Sequence, residues 1–425
     1  MKDVICKLIN LKSNKTLMNG TMFSIFSFIN KGISFVLLII LARYIAPAEY
    51  GRLSLFTTIV SFLGYLVALS CQGYFAVSYF QRKGELFRQD FTSIVVITTV
   101  CTIVLSICLL ISQDKITGIA DLPNQFLWFA IFISFAQIFS HIFLDYLRIQ
   151  EKIVRYGLFS CGFAIISFFL SLFFVVNRGM NWEGRVYAHL VCAVSFGIIG
   201  ILLLARDKLF TKHISLNGIK TIVLWGVPLI PHHATSWLRQ GCDRFIINSS
   251  HTIEDVGVFS FALTLTSVIL MIGTAFNATN SVSIYKILSL NTDAKTKKQR
   301  LKKQMYNIGL IYTVGYAIVL VGASFLIPFL LPRYTDSLPY FWITSVYGYL
   351  NCLYFLFVNY LFYYHKNHNI MMITFGSSCV HLCLSLLLTR YSLYFTSFIY
   401  VITQLVVLFL ISKQAIKVVR KEVVD

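Results

Sequence analysis

The sequence predicts an all-α integral membrane protein with about twelve transmembrane helices and little soluble structure. Of its 425 residues, 57% are hydrophobic and only 12% are charged, whereas a soluble protein carries roughly 25% charged residues. Apolar runs of about 20 residues, long enough to cross a hydrocarbon core of about 30 Å, recur from one end of the chain to the other. Together these two observations indicate that the bilayer is the solvent of nearly the whole chain.

The apolar runs define twelve predicted transmembrane segments separated by short loops. The first run is too long for the core of a signal peptide and no small-residue cleavage pattern follows it, so we expect it to stay in the mature protein. The predicted segments are 17–45, 52–78, 91–112, 124–147, 154–176, 186–205, 219–248, 256–287, 305–331, 339–364, 369–389 and 391–412.

Basic residues mark one set of segment ends much more strongly than the other. Of the 36 lysines and arginines, 26 lie at the ends that include both termini and seven lie at the opposite ends. The longest loop joins the eighth and ninth segments and carries a run of basic residues within 295–303. Since short basic loops stay in the cytoplasm, both termini are predicted to be cytoplasmic.

Several function classes are disfavoured by the sequence. The net charge of +19 is spread over short loops, which does not indicate a nucleic-acid partner. Cys379, His381 and Cys383 lie close together, but on a helix the two cysteines share a face that His381 does not, so no metal site is predicted. No catalytic triad, phosphate-binding loop or dinucleotide fingerprint is present, so we expect neither an enzyme nor a cofactor.

A weak internal repeat relates the two halves of the chain, 1–212 and 213–425. Residues 42–55 (ARYIAPAEYGRLSL) resemble residues 243–260 (DRFI, then EDVGVFS) some 200 positions later. Six predicted segments in each half place the halves in the same orientation, so the repeat predicts two parallel six-helix bundles. In transporters built from such repeats, the substrate site lies between the halves.

Some residues of the repeat have a structural interpretation. Pro47 fits the first turn of a helix, where its missing N–H group is tolerated. Thr252 and Asp255 have the spacing of a capping box that begins the eighth helix. We expect Gly51 and Gly257 to allow close helix packing.

Lys31 is the residue with the clearest functional prediction. It lies about fourteen residues into the first segment, roughly 21 Å along a helix and close to the midplane. A lysine can extend its ammonium group to the interface, but from this depth a cation that faces a cavity is the sharper hypothesis. If Arg43 is aligned with Arg244 without gaps, Lys31 falls opposite His232.

The seventh segment is the least lipid-like part of the chain. Pro228 and Pro231 remove backbone donors, so the helix is predicted to kink or break there, as happens where a helix lines a cavity. Arg239 and Asp243 are four residues apart and can pair. For Asp243 and Arg244, an interfacial anchor or a structural salt bridge remains an alternative to a role in the cavity.

The fourth segment carries a polar face. His141, Asp145 and Arg148 are spaced by four and three residues and fall on one side of the helix. A hydrogen-bonded gate, an ion pair and a proton relay are all compatible with this spacing. The other in-segment or loop histidines are interpreted as structural: His189, His365, His368 and His381.

Two stretches carry a resemblance to a known family. Residues 31–35 (KGISF), 42–44 (ARY) and 49–51 (EYG) resemble the N-terminal signature of bacterial O-antigen and polysaccharide flippases of the Wzx type. Residues 226–232 (GVPLIPH) and 243–245 (DRF) are similar to the start of that family's second half. The family is the polysaccharide-transport branch of the multidrug/oligosaccharidyl-lipid/polysaccharide exporter superfamily, and the similarity extends over nearly the whole chain.

The resemblance implies a V-shaped exporter fold of two six-helix bundles with alternating access. The implied substrate is an undecaprenyl-pyrophosphate-linked oligosaccharide, moved from the cytoplasmic to the periplasmic leaflet of the bacterial inner membrane. A polysaccharide polymerase and chain-length machinery are implied partners beside the lipid bilayer. Pyrophosphate in a low-dielectric cavity needs cations, and the chain offers Lys31, His232, Arg239 and Arg244.

Other functions make different demands on the sequence. A multidrug exporter of the same superfamily is expected to place acidic residues in its cavity, and a lipid II flippase is expected to have more than twelve segments. A membrane-embedded polymerase or glycosyltransferase needs a large periplasmic loop with catalytic groups, whereas the predicted outer loops are short. A passive scaffold would leave Lys31 without an explanation.

Overall fold

Apolar helices make up nearly all of the chain in the computed structural model, which describes residues 15–290 and 293–423. Within these ranges there are fifteen α-helices and no strand. The helices are α1 Lys15–Tyr44, α2 Pro47–Val67, α3 Tyr74–Gln81, α4 Glu85–Ala120, α5 Asn124–Ile149, α6 Ile153–Leu172, α7 Asn181–Arg206, α8 Leu216–Gly226, α9 Ile230–Gln240, α10 Cys242–Ser250, α11 Ile253–Ser289, α12 Ala294–Leu330, α13 Leu338–Tyr363, α14 Asn367–Leu388 and α15 Leu393–Val423.

The prediction of an all-α membrane protein is confirmed, with one change in the number of continuous spans. Among the described residues, eleven helices are long and apolar enough to cross a bilayer. The seventh predicted segment is not one of them, because the chain there is divided into α8, α9 and α10. Pro228 lies in the 3-10 turn Val227–Leu229 that separates α8 from α9. A residue without an N–H group cannot continue the hydrogen-bonding ladder of the helix.

The second predicted segment is also interrupted, and its prediction as one helix is wrong. The helix α2 ends at Val67, and Leu69 and Ser70 take left-handed conformations with φ of 46° and 56°. The thiol of Cys71 then approaches the carbonyl of Ile222 in α8, with 3.5 Å between Sγ and O. A Cβ atom on Gly226 would lie 2.5 Å from the carbonyl oxygen of Leu69. The two interrupted segments therefore pack on each other at their breaks.

Packing divides the chain into two compact units. This division rests on contacts and is distinct from the two halves of the sequence repeat. Unit 1 contains Met1–Tyr44, Phe56–Gly118 and Leu122–His233, and unit 2 contains Ile45–Leu55, Ile119–Asp121 and Ala234–Asp425.

The core of unit 1 is rich in aromatic side chains. Phe75 on α3 packs against Phe91 on α4 and Tyr146 on α5, with ring centroids 5.8 Å and 6.2 Å away. All three rings are buried. Edge-to-face pairs of this kind add about 0.5–1.5 kcal/mol each to the free energy of burial, so they fix α3 against the longer helices.

The start of α2 crosses α11 at very short range within unit 2. A Cβ atom on Gly51 would lie 2.2 Å from the carbonyl oxygen of Ile253, and one on Gly257 would lie 1.8 Å from that of Pro47. Both distances are shorter than a side-chain carbon can reach, so only glycine fits at either position. The prediction that these two glycines allow close packing is confirmed.

Contacts at this crossing are reciprocal. Gly51 meets Gly257, and Ser54, one turn further along α2, donates to the hydroxyl of Ser260 at 2.8 Å. Each of these pairs joins equivalent positions of the sequence repeat. The arrangement is that of a two-fold axis, where residue i contacts j and j contacts i. The predicted capping box is also present, since Thr252 accepts from the backbone of Asp255 at the start of α11.

Tyr334 anchors the 3-10 turn Pro332–Ser337 to the start of unit 2. Its buried hydroxyl donates to the carbonyl of Ile45 at 2.9 Å, and its ring lies 4.4 Å from that of Phe261. Replacing Tyr334 with phenylalanine leaves this buried carbonyl without its donor, which costs about 1 to 3 kcal/mol. We expect a lower unfolding temperature in detergent for Tyr334→Phe and no change for Tyr306→Phe, whose side chain is 71% exposed. Equal unfolding temperatures for the two variants would contradict this role.

Candidate functional site

Lys31 lies on an exposed polar face of α1. Ser27, Lys31 and Ser34 are all exposed, and their spacing of four and three residues places them on one side of the helix. No hydrogen bond or ion pair joins Lys31 to any residue that the structure describes. The neighbouring Asn30 has a buried side-chain oxygen without a partner. Lys31 is therefore a cation without a partner among the described residues, with two serines on its side of α1 and the exposed Phe28 one turn away.

The exposed side of α12 shows what a lipid-facing helix looks like in the same chain. Val314, Ile318, Val321 and Phe325 are between 49% and 75% exposed and repeat at the same helical spacing as the polar face of α1. A bilayer accepts such a face, whereas charged groups at bilayer depth face a cavity or other protein groups.

The interrupted seventh segment continues from α8 through the turn at Pro228 into α9. Pro231 is the second residue of α9, where the first-turn N–H groups have no partner inside a helix in any case. His232 follows it, but its side chain is outside the described residues. The predicted opposition of Lys31 and His232 therefore stays a prediction.

Arg239, near the end of α9, is held by neutral groups of unit 2. Its guanidinium donates to the side-chain oxygen of Gln404 at 2.8 Å and lies 5.6 Å from the ring centre of Tyr347. Its Nε is buried and has no partner. The expected pairing with Asp243 is absent, because Arg239 bonds to Gln404 and Asp243 bonds to His381.

Asp243 instead pairs with His381 of α14. The carboxylate oxygen Oδ2 and the ring nitrogen Nε2 are 2.8 Å apart, and both side chains are 0% exposed. The other ring nitrogen, Nδ1, lies 3.3 Å from the hydroxyl oxygen of Thr403 on α15. Tyr400 of α15 also interacts with this carboxylate, and its ring lies 4.7 Å from that of His381.

The interpretation of His381 as an isolated structural histidine misses this contact. One signal for it was present in the sequence. Ser378, His381 and Ser385 are spaced by three and four residues, and all three are buried, so α14 presents a polar face to the interior of unit 2. A polar face on a membrane helix indicates a polar partner inside the protein.

Arg244 is the second cation of this cluster. It donates from Nη1 to the carbonyl of Gln240 at 2.7 Å and from Nε to the hydroxyl of Ser260 at 3.2 Å. Both partners are neutral. Unit 2 thus contains two arginines with neutral hydrogen-bond partners beside one acid that is bonded to a histidine.

The polar face of α5 contains an ion pair. Arg148 lies 3.2 Å from Asp145 and donates to the hydroxyl of Tyr156 on α6 at 3.4 Å. His141 is exposed and makes no hydrogen bond with the described residues. The pair links α5 to the start of α6 in unit 1.

Unit 1 also contains a cation that the sequence interpretation passed over. Arg185 on α7 donates to the hydroxyls of Ser167 and Ser171 on α6, at 2.8 Å and 3.0 Å. One turn further along α7, His189 lies 2.8 Å from the side-chain nitrogen of Gln137. Arg185 has no acidic partner among the described residues.

A metal centre receives no support from the arrangement of side chains. Among the described residues, no group of three histidines, cysteines or acids is placed to hold a metal ion. His381 is buried while Cys383 is exposed, so they lie on different sides of α14.

Comparison with known sequences gives two matches. A family model described as polysaccharide biosynthesis protein matches residues 16–284. Over 370 residues the chain is 25% identical to the Lsg locus putative protein 1 of Haemophilus influenzae, covering 85% of this chain and 88% of that protein.

Comparison with solved structures shows the fold. An inward-facing multidrug resistance transporter of the MATE family and MOP superfamily aligns with a TM-score of 0.71 and 14% identity, over 95% of this chain and 98% of that one. A MOP superfamily transporter from Pyrococcus furiosus, described as having a binding pocket of reverse polarity, aligns with a TM-score of 0.62 and 14% identity, over 95% and 96% of the two chains. The chain has the fold of these exporters.

Proposed function

The chain belongs to the polysaccharide biosynthesis protein family, and on that premise we propose that it is a flippase for lipid-linked oligosaccharides. The substrate is an undecaprenyl-pyrophosphate-linked repeat unit of O-antigen or a related surface polysaccharide. It moves from the cytoplasmic to the periplasmic leaflet of the bacterial inner membrane. No bond is made or broken, so the protein acts as a transporter and needs no cofactor.

The cations of the membrane helices carry this proposal. Among the described residues Lys31 has no partner, and the hydrogen bonds of Arg239 and Arg244 go to neutral groups, although Asp243 also interacts electrostatically with Arg244. An uncompensated charge at bilayer depth is costly, and an anionic substrate removes that cost when it binds. A pyrophosphate offers several oxygens to such groups, and charge-assisted hydrogen bonds to phosphate are about twice as strong as neutral ones.

Roles for the other polar groups follow from the same mechanism. Lys31, Arg239 and Arg244 bind the pyrophosphate, with His232 as a further ligand, while the break at Pro228 and Pro231 lets the backbone of the seventh segment line the cavity.

The remaining ionisable groups form ion pairs or act as gates. Two groups make contacts that open and close during alternating access between halves 1–212 and 213–425. One consists of Asp145 and Arg148 with His141 beside them, and the other is Asp243. The basic loops and both termini face the cytoplasm, which leaves the periplasmic side open to a polysaccharide polymerase and chain-length machinery.

A multidrug exporter fits these observations less well. Such a protein needs acidic groups for cationic drugs, but the one fully buried acid of the described α9–α10 region, Asp243, is bonded to His381. The other candidate groups, Lys31, Arg239 and Arg244, are cations without an acidic hydrogen-bond partner among the described residues. An anionic substrate is therefore the better match.

Deleting the gene in its host tests the proposal. We expect lipid-linked repeat units to accumulate on the cytoplasmic leaflet and surface polysaccharide to be lost, with both restored by the wild-type gene on a plasmid. Leaflet location is measured by labelling intact and permeabilised cells with a lectin that binds the repeat unit. Normal surface polysaccharide in a deletion strain without another flippase would refute the proposal.

A further inference from the structure

Arg185 on α7 is a membrane-helix cation that the proposed pyrophosphate site does not use. Its Nη1 donates to the hydroxyls of Ser167 and Ser171 on α6, at 2.8 Å and 3.0 Å, and both serines are buried. Nε and Nη2 have no partner among the described residues, and neither of them is a buried atom. The serines therefore fix one side of the guanidinium and leave its other edge accessible to a ligand.

The side of α7 that carries Arg185 is opposite to the side that faces lipid. Val194, Ile198 and Leu202 are exposed and form an apolar face. By helical spacing Arg185 and His189 lie on the other side, where they contact α6 and α5. An arginine that anchors a helix among lipid headgroups would lie on the outer face, so Arg185 belongs to the interior of unit 1.

A purely structural role leaves the charge of Arg185 unexplained. A neutral donor would satisfy two serine hydroxyls at a lower cost, because an uncompensated charge at bilayer depth is expensive. Glu183 is the one acid of α7, and a residue two positions away does not share a side of a helix with Arg185. No acid pairs with Arg185 in the part of the chain that the structure describes. An anionic ligand would balance this charge.

Uncharged polar groups continue from Arg185 into unit 1. His189, one turn further along α7, contacts the side-chain amide of Gln137 on α5, with 2.8 Å between the two nitrogen atoms. Gln137 lies one turn before His141 and so extends the polar face of α5. Amides and imidazoles bond to hydroxyl groups both as donors and as acceptors. The surroundings of Arg185 therefore suit a ligand that carries hydroxyl groups beside its acid.

Arg185 and Lys31 lie at different heights along the helices of unit 1. Gly157 of α6 packs directly on the ring of Phe26 of α1, and α1 also contacts the π-helical turn that follows α6, so the two helices run in the same direction. Lys31 is five residues beyond Phe26, whereas the serines bonded to Arg185 are ten and fourteen residues beyond Gly157. The offset along the helix axes is about 8 to 14 Å. A phosphate group bound at Lys31 does not reach Arg185.

We propose that Arg185 binds the carboxylate of an acidic sugar in the repeat unit, and that Gln137 and His189 bond to hydroxyl groups of the same part of the substrate. A guanidinium edge with two parallel N–H groups matches the two oxygens of a carboxylate. This inference rests on the proposed flippase function and narrows its substrate to repeat units that carry a carboxylated sugar. It assigns the pyrophosphate and the sugar to different cations of the protein.

Glucuronate, glucose and inorganic pyrophosphate are the probes for this site. Thermal unfolding of the purified full-length protein in detergent is measured with each probe at equal concentration and ionic strength. Glucuronate differs from glucose by its carboxylate, so the difference between the two reports binding of the acid group. We expect glucuronate to raise the unfolding temperature of the wild type and glucose to leave it unchanged, because a ligand that binds the folded state stabilises it.

Substitutions separate the two anion sites. Arg185→Gln should abolish the shift caused by glucuronate and keep the shift caused by pyrophosphate, whereas Lys31→Ala should weaken only the pyrophosphate shift. The control Arg178→Gln removes an exposed arginine that precedes α7 and should keep both shifts. If Arg185→Gln fails to fold, Arg185→Lys provides the test, because it keeps the charge but lacks the two-pronged edge and should weaken the glucuronate shift.

The composition of the surface polysaccharide of the host tests the proposal in the cell. We expect a carboxylated sugar in the repeat unit and, in the deletion strain, at least about a tenfold lower restoration of surface polysaccharide by Arg185→Gln than by wild type. A repeat unit made only of neutral sugars would refute the acidic-sugar site and leave the flippase proposal standing.

The binding experiment has two outcomes that overturn the proposal. Equal effects of glucuronate and glucose on the wild type would show that no site for a carboxylated sugar exists. Loss of the pyrophosphate shift in Arg185→Gln, with the glucuronate shift retained, would assign Arg185 to the pyrophosphate instead. Neither outcome affects the deletion experiment, which decides independently whether the protein is a flippase.

Discussion

Replacing Lys31 with alanine should reduce transport by roughly 100-fold, because a hydrogen bond from a charged donor to the proposed pyrophosphate is worth up to about 3 kcal/mol. Lys31 is exposed on a polar face of α1 and has no partner among the described residues. The loss should therefore act on substrate binding and leave the fold intact. Arginine keeps the positive charge but changes the geometry of the donors, so Lys31→Arg should retain part of the activity.

The measurement is restoration of surface polysaccharide in the deletion strain, with each variant expressed at the level of the wild type. Lys83→Ala is the matched control, since Lys83 is an exposed lysine in the turn between α3 and α4. It should restore transport fully. Equal transport by Lys31→Ala and wild type would remove Lys31 from the substrate site.

Substituting Gly257 by leucine should prevent stable folding of unit 2. The new Cβ atom would lie 1.8 Å from the carbonyl oxygen of Pro47 and 3.0 Å from the backbone nitrogen of Gly51. Both neighbours are backbone atoms, so the crossing of α2 and α11 must open to make room. Overpacking a core costs about 1–3 kcal/mol and sometimes more. We expect a clash between two backbones to cost an amount at the upper end of this range.

Folding is measured by size-exclusion chromatography of detergent extracts, in which the variant should elute as aggregate. Gly51→Leu should behave in the same way, because the contact is reciprocal. Gly322→Leu is the control, since a Cβ atom there meets nothing within 4 Å. A monodisperse Gly257→Leu protein with the unfolding temperature of the wild type would show that the crossing is not a constraint on the fold.

Most of the helical segments were predictable because each depends on a local property of the chain. A run of about 20 apolar residues must satisfy its backbone within itself in a bilayer, and only a helix does so along one segment. The capping box at Thr252 and the close approach at Gly257 were also predictable, since their residue types and spacing permit few other roles.

Of the interruptions in the second and seventh predicted segments, only the one that contains proline was predictable. The break at Pro228 follows from the missing N–H group, but the break at Leu69 and Ser70 has no such residue. There the left-handed conformations accompany the packing of Leu69 and Cys71 against Gly226 of α8. A contact between segments more than 150 residues apart leaves no local pattern in the sequence.

In the candidate site, too, some features were predictable from the sequence and others were not. The sequence identified Lys31, Arg239 and Arg244 because charge is rare in membrane helices, and that rarity is visible residue by residue. It suggested the wrong partner for Asp243, since a spacing within one helix gives no signal of a partner 138 positions away.

By itself the sequence determined that the chain is a bundle of membrane helices that carry a few cations, because bilayer thickness and the cost of buried charge act on each segment separately. Only the tertiary structure decided that Asp243 meets His381 and that Gly51 meets Gly257. Such pairs form where helices distant in the chain pack side by side, and their geometry depends on all of the intervening segments.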